Sequence, residues 1–551
     1  MRQSGLTSIA AGAAIVAGLV LDVSIAARFG VGSLTDAFFV GARIPIGFAA
    51  VLMVGANQVL VPMISKRLVE KGDEYTWRFV SLLFSAVLVI GVAFWAVAAA
   101  VAWPLMRLTA PGLSVHQTAL ATSVARIMFL LVPLVGLAEL MRALLNARYR
   151  FVAPAAMNVV MNGLAAALIL AFAHRDVTRV AWAYAIGAAA QLVFMIVVAY
   201  TESFRYRFRL DFRDPDVVAM GRLSVRPLVA AGLNPLETLI EQSVVSFLPP
   251  GSITIVAYGY RLISALGGTV FFRSVVVALV PRLTEATTKK RSAQVAHITG
   301  LGVQIMFLLA LPLTAFVAVL SRPAITVVFS RGRFSKSDAA LLAIVLAVYA
   351  SSLVGAGVQR ALLAPFFARL DTRVPLRNSL YGNIVNVALL PAVLIWREDK
   401  HAVIGVAIAY SITQYVNVAH AWWRLRSIID RPLAGLGPWL LRVVLATCTS
   451  TAALIGMYEV LGLNGHPGRF VLLGKLAAAG VIGLGVFAGA MAAFGGARAG
   501  EALRETRREI HGGRTAVPLS SDLAPDAVPE LESSAVSPQP ADDLDEPDVT
   551  Q

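Results

Sequence analysis

Arg142-Ala143-Leu144-Leu145 returns as Arg360-Ala361-Leu362-Leu363, a shift of 218 residues. Leu60-Val61-Pro62, ahead of a basic stretch, returns as Leu279-Val280-Pro281 at 219, again ahead of one. Arg43 has its counterpart in Arg261 at 218, Pro154 and Asn162 theirs in Pro375 and Asn383 at 221, and Gln191 its own in Gln414 at 223. One four-letter match means little in a chain rich in Leu and Ala. Five matches in order, at nearly one spacing, mean an internal duplication.

What is duplicated is a set of apolar runs. A hydrocarbon core of about 30 Å asks roughly 20 apolar residues of a helix. Such runs lie near 8–28, 38–63, 79–103, 119–145, 152–172 and 180–200. After a polar gap they resume near 226–249, 254–281, 298–321, 338–364, 375–396, 402–423, 438–461 and 470–494. The expected fold class is an all-α polytopic membrane protein of about fourteen transmembrane helices. The repeat unit is six helices, an even number, so both halves keep one orientation and are related by an axis along the membrane normal. The expected organisation is an N-lobe over 1–210 and a C-lobe over 211–430, facing each other across a central cavity. Two extra helices over 431–500 and a disordered acidic cytoplasmic tail over 501–551 complete it.

Composition agrees. The 551 residues are 58% apolar and 14% charged, against roughly 25% charged in soluble domains. The mean hydropathy is +0.74. This excludes a cytosolic enzyme, a secreted disulfide scaffold and a disordered hub. Cys448 alone forms no intramolecular disulfide or thiolate zinc site. The formal charge of +15 points away from nucleic acid once its placement is read. Lys66, Arg67, Lys71 and Arg78, then Arg148 and Arg150, then Arg205 to Arg222, Arg282 to Arg291, Arg369 and Arg373, and Arg424 to Arg431 follow the even-numbered runs. With basic loops inside, both termini are expected in the cytoplasm of a bacterium, with the chain in its inner membrane. The basic outer stretch Arg322 to Lys336 is the exception; the segment from Arg322 to Asp338, with Phe329 and Phe334 among basic residues, is expected to lie along the outer headgroups. The run 8–28 is too long, and followed by too much membrane protein, for a cleavable signal.

Several stretches carry a resemblance. They are Thr35-Asp36-Ala37-Phe38-Phe39-Val40 with Arg43-Ile44-Pro45, and Leu145-Asn146-Ala147-Arg148-Tyr149-Arg150-Phe151-Val152-Ala153-Pro154-Ala155 running on to Asn162. In the second half, Arg331-Gly332-Arg333-Phe334 with Asp338, Tyr349 and Asp371-Thr372-Arg373-Val374-Pro375 continue it. Together they resemble the MurJ/MviN family of lipid II flippases, in the multidrug/oligosaccharidyl-lipid/polysaccharide exporter superfamily. The resemblance implies a flippase moving a polyprenyl-pyrophosphate-linked glycan precursor for cell-wall or exopolysaccharide synthesis by alternating access, and no enzymatic reaction. The chain also departs from the pattern. Leu21 precedes Asp22 where the family has Arg, Ile15 replaces another Arg, Ala49-Ala50 replaces an Arg pair, and Val54 stands where the family has Glu. Which lipid-linked glycan is carried stays open at this point.

A charge at the bilayer centre costs at least about 2.5–3.5 kcal/mol on insertion scales and tends to face a cavity or a partner. Arg43 and Arg261, equivalent in the repeat, are expected to aim into the shared cavity as a clamp for pyrophosphate, whose oxygens suit a guanidinium fork. The competing expectation pairs Asp36 with Arg43 and Glu241 with Arg261 inside each lobe. Asp36 and Arg273 join the substrate-binding candidates, and Arg126 is weaker. Glu237 and Glu241, one helical turn apart, with Asn383, Asn386 and Thr413, form a candidate coupling site for a sodium ion or proton. The membrane potential is the other expected source of direction. Pro235 is expected to bend the seventh helix. The asparagines at 146, 158 and 162 are expected to hydrogen-bond between helices. There is no metal-ligand histidine spacing, Walker A, Rossmann or Gly-x-Ser-x-Gly motif, so no cofactor, metal or nucleotide is expected. The expected partners are the lipid-linked glycan, membrane lipids and enzymes of envelope synthesis. Two other readings remain: a cation-coupled multidrug antiporter, and a transport-inactive scaffold for envelope synthesis.

Overall fold

The computed structural model describes residues 2–55, 59–174, 176–232, 234–267, 272–429, 436–463 and 468–495. The expected acidic tail lies outside them. Eight helices build the first half: α1 Arg2–Phe29, α2 Ser33–Gly55, α3 Val61–Ala100, α4 Ala102–Thr109, α5 Val115–Met128, α6 Leu131–Ala147, α7 Val152–Phe172 and α8 Val177–Thr201. The second half has α9 Pro215–Gly232, α10 Asn234–Val245, α11 Ser252–Ser264, α12 Phe272–Thr288 and α13 Ser292–Phe329. It continues through α14 Lys336–Ala350, α15 Ser352–Ala368, α16 Arg373–Val393 and α17 Val403–Leu425, before α18 Leu436–Val460 and α19 Arg469–Gly495.

Among the described residues, twelve helical segments are long and apolar enough to cross a membrane, and the chain is a multi-pass membrane protein. The two further spans expected at 226–249 and 254–281 each include residues outside the described ones, 233 in the first and 268–271 in the second. They fall on the pairs α9–α10 and α11–α12. Pro235 stands second in α10, where proline favours a helix start over a helix interior, and residues 265–267 form a π turn.

The backbone keeps the duplication more faithfully than the side chains do. Left-handed residues recur in pairs: Gly30 (φ 68°) with Gly251 (φ 96°), Gly72 (φ 74°) with Lys290 (φ 52°), and Tyr149 (φ 60°) with Leu370 (φ 59°). The fourth span breaks between α5 and α6, and the tenth between α14 and α15, at matching places. Each half packs alike, α2 on α5 as α11 on α14, and α7 on α8 as α16 on α17. One difference matters. α1 runs along α7 within its lobe, whereas α10 touches α16 only briefly and α9 leans on α2 of the first half. Asp216 of α9 is held at the basic end by an ion pair with Arg67 and by the Tyr75 hydroxyl, which donates at 2.8 Å.

Besides α9 and α10, the helix pairs that meet most closely across the two halves are α2 with α11 and α1 with α13. Both contacts sit at the end carrying loops 30–32, 249–251 and 330–335, the loop end. There the Arg333 N–H donates to the Ala27 carbonyl at 3.0 Å. A methyl group at Gly30 would collide with Arg333 backbone, and one at Gly332 (φ 58°) with the Ala27 carbonyl. This turn also corrects the expectation for 322–338. Phe329 and Phe334 are buried, with ring centroids 5.3 and 6.3 Å from Tyr258. Gly332 folds the segment back over the seam between the lobes, so its aromatics serve the core.

Candidate functional site

Four charged side chains on four helices meet across the seam, two from each half. Arg43 of α2 reaches Glu241 of α10, with Nη2 3.5 Å from Oε1. Arg261 of α11 is ion-paired with Asp22 of α1. Neither pairing is the one expected inside a lobe. Each arginine crosses to an acid of the opposite half, because α2 and α11 face each other while the candidate acids of their own halves are turned elsewhere. Asp22 and Glu241 lie 219 residues apart, so the two pairs are related by the repeat.

Arg261 is seated almost wholly by the first half. The Tyr184 hydroxyl of α8 shares a hydrogen bond with it, and its guanidinium lies 5.3 Å from the Phe39 ring centroid, a cation–π distance. The Tyr258 hydroxyl donates to the Asp22 carbonyl at 3.4 Å. The arginine side chains keep 20% (Arg43) and 32% (Arg261) of their surface exposed, against 5% for Glu241 and 18% for Asp22. The cations are therefore the more accessible members of both pairs, presenting N–H donors while the acids fix them from behind.

Asp36 has a different position from the substrate group expected. Its carboxylate is buried and accepts from the N–H groups of Gly251 and Thr254, the latter at 2.8 Å, and from the Thr254 hydroxyl at 2.6 Å. These are the first amides of α11, so an acid of one half caps a helix of the other. Asp36 is a strut of the loop-end closure, its oxygens already taken. Lys400 and Asp338 pair nearby, Nζ to Oδ1 2.6 Å.

The remaining expected residues are only partly assembled. Glu237 and Arg273 lie in α10 and α12, but their side chains fall outside the described residues, so the Glu237–Glu241 pairing is not described. The Thr413 hydroxyl donates to the Ala409 carbonyl of its own helix at 2.9 Å. Asn386 is buried, and Asn383 and Asn386 both have interactions of their own. Arg126 is spent on structure, its Nε donating to the Ala99 carbonyl at 3.1 Å. Of the asparagines, Asn158 accepts from Gln191 at 3.4 Å, joining α7 to α8. Two further buried polar groups lie on α10 and α14. Among the described residues the side-chain amide of Gln242 and the Tyr349 hydroxyl are buried without hydrogen-bond partners, and Tyr349 lies within electrostatic reach of Glu241.

One site residue is absent from the sequence candidates. Asp22 is the acid of the second pair; its spacing of 219 from Glu241 is the signal that finds it. Arg360, contained in the duplicated motif, lies apart from these four. Its twin Arg142 pairs with Glu139, but Gly357 occupies the corresponding place in the second half. Arg360 instead donates to the Gly267 carbonyl at 3.2 Å and lies over the Phe272 ring.

Comparison with known proteins follows this geometry. The family profile described as lipid II flippase MurJ matches residues 25–474. A probable lipid II flippase MurJ of Rhizobium meliloti is 27% identical over 457 residues, covering 79% of this chain and 83% of that one. A lipid II flippase MurJ of Burkholderia cenocepacia is 27% identical over 380 residues, covering 66% and 72%. Among solved structures, a lipid II flippase MurJ in an inward closed conformation superposes with a TM-score of 0.71 at 19% identity, covering 89% of this chain and 98% of that one. An inward-facing multidrug resistance transporter of the MATE family gives 0.59 at 15% identity, covering 75% and 95%. At these identities the structural likeness speaks to the fold.

Proposed function

Because the chain belongs to the MurJ lipid II flippase family, we propose that it carries a polyprenyl-pyrophosphate-linked glycan precursor across the bacterial inner membrane. The observation that supports this reading is the reciprocal pair of cross-lobe ion pairs. Arg43 and Arg261 are held by acids of the opposite half and still partly exposed. Pyrophosphate oxygens accept the same donors as a carboxylate, and bidentate guanidinium–phosphate pairing is among the stronger charged contacts. When the lobes part at the loop end, both arginines lose their acids together. An anionic head between them supplies the missing counter-charge, so cargo binds the separating state better than an empty cavity does. Such differential affinity is what lets a ligand bias a conformational equilibrium. The lipid tail stays in the bilayer throughout.

In this proposal the basic loops and both termini face the cytoplasm, following the positive-inside rule, and the loop end faces outward. Coupling enters at Glu241. Its ion pair is too long for a hydrogen bond, and the Tyr349 hydroxyl within electrostatic reach of it is buried without a hydrogen-bond partner among the described residues. A proton or small cation such as sodium taken up there supplies direction, as does the membrane potential at about 2.3 kcal/mol per charge per 100 mV. A cationic-drug antiporter needs free acids, and here both seam acids are engaged by arginines. Enzymes of envelope synthesis are partners for the segment beyond residue 500.

The test is complementation of a bacterium depleted of its own lipid II flippase. Wild type is expected to restore growth, Arg261→Ala to lose it at equal membrane abundance, and deletion of 501–551 to keep it. Failure of well-expressed wild type would remove lipid II as the cargo. Loss of growth on tail deletion alone would favour a scaffold.

A further inference from the structure

A second cluster of basic and aromatic side chains lies in the groove where α16 packs on α17 at the basic end. It is built around His420. The side-chain amide of Asn378 fixes the imidazole through a chain of hydrogen bonds that leaves no choice of orientation. Asn378 Oδ1 accepts from Gln359 Nε2, so its Nδ2 is the donor end. One Nδ2 proton goes to the Asn417 carbonyl at 2.7 Å. The other reaches His420 Nδ1 at 3.0 Å. Nδ1 must therefore be an acceptor without a proton, and in the neutral imidazole the proton sits on Nε2. Asn378 and Asn417 are buried, so this arrangement is set from the buried side and leaves the Nε2–H as the donor of the half-buried ring.

The charged groups acting on His420 are Arg424 and Arg377, both cationic. Arg424 follows His420 by one turn of α17. Its Nε is buried and has no hydrogen-bond partner among the described residues, and its guanidinium lies 5.6 Å from the Trp423 ring centroid. Arg377 is exposed. Around this cationic group the rings are placed as a membrane-interface belt: Tyr381 stands 4.9 Å from the His420 ring and Trp423 6.2 Å. Tyr381 and Trp423 are 49% and 64% exposed. Tyr and Trp favour the headgroup level, where one edge is apolar and the other wet. Two guanidinium groups and a tautomer-fixed N–H, framed by such rings, match a phosphate attached to acyl chains.

We propose that this groove binds the phosphate of an anionic glycerophospholipid from the leaflet at the basic end. The inference stands independently of the cargo reading, because none of its residues belongs to the seam. Juxtamembrane basic groups attract anionic lipid by an amount equivalent to about fivefold in affinity each.

The full chain in detergent, probed by native mass spectrometry with phosphatidylglycerol and phosphatidylcholine of matched acyl chains, is expected to retain the anionic lipid preferentially. Arg377→Gln should lower phosphatidylglycerol retention about fivefold, and Arg377→Gln with Arg424→Gln further, with phosphatidylcholine unchanged. Arg377 is exposed, so its single variant keeps the test informative should the double variant misfold. His420→Phe should lower retention as well, since it removes the donor. Equal phosphatidylglycerol retention by wild type and Arg377→Gln would overturn the proposal. Full displacement of the lipid by millimolar inorganic phosphate, or preference for undecaprenyl phosphate over phosphatidylglycerol, would also overturn it. These outcomes would assign the groove to a free anion or to a cargo-like lipid.

Discussion

Glu241 stands to Arg43 as Asp22 stands to Arg261 with the lobes exchanged. Each acid comes from the first expected span of its repeat and each arginine from the second, yet every pair joins opposite halves. In the proposed cycle, closing the seam makes both pairs and opening it breaks both. Removing one member of a fully buried pair costs about 3–5 kcal/mol, and these partly exposed arginines place the cost at the lower end. With Cys448 changed to Ser and a reporter cysteine at buried Ser252, Glu241→Ala is expected to raise maleimide labelling about a hundredfold. The reversed pair Arg43→Glu with Glu241→Arg should restore slow labelling while transport stays lost, because the cation no longer sits on α2. Labelling that ignores both changes would mean the pairs do not hold the seam.

The Asp36 cap makes a graded prediction. Thr254→Val removes one of the three donors and should weaken loop-end closure by about 1 kcal/mol. Asp36→Asn should weaken it more, since the amide nitrogen would face N–H groups that need an acceptor. The same Ser252 reporter reads both. If the two variants label alike, the carboxylate is not the element that ties α11 to α2.

Close backbone approach gives a steric test. Gly332→Ala should abolish complementation, because its new methyl group meets the Ala27 carbonyl and its φ of 58° disfavours any side chain. Gly163→Ala, with open space at its Cβ, is the matched control and should grow as wild type. Normal growth of Gly332→Ala would show that tight loop-end contact is dispensable.

Acid should leave the surface turns intact until unusually low pH. At 399–402 the carboxyl of Asp399 is held below its usual 3.8, first by the backbone N–H of His401 and then by its side chain. Glu285 is held below 4.5 by Lys289, whose Nζ lies 2.6 Å away. A carboxylate depressed on folding stabilises above its unfolded value and loses that contribution as pH falls through the folded one. Hydrogen exchange at 399–402 is therefore expected to stay flat from pH 8 to 5 after correction for intrinsic rates, with protection lost only below about 3.8. Protection lost already at pH 5 would contradict the assignment.

The amino-acid sequence displays the spans and the repeat plainly, because both are written in local apolar runs and in motifs such as Arg142–Leu145. It displays Arg43, Arg261 and Glu241 as charges in apolar context, and so as site candidates. It does not display their pairing, since pairing depends on how two lobes approach, and Asp36 with Arg43 looks equally natural on one helix. Phe329 and Phe334 among arginines imitate an interfacial segment until the fold of Gly332 is known.

The seam pairs also bear on electrical behaviour. Each closing event brings two guanidinium groups against two carboxylates, so a zipped seam amounts to zero net charge. Motion of such a self-compensated set does little work in a transverse field. Its rate in the absence of cargo should be nearly blind to applied voltage, and any current recorded during turnover must be carried by the passenger or by an ion travelling with it.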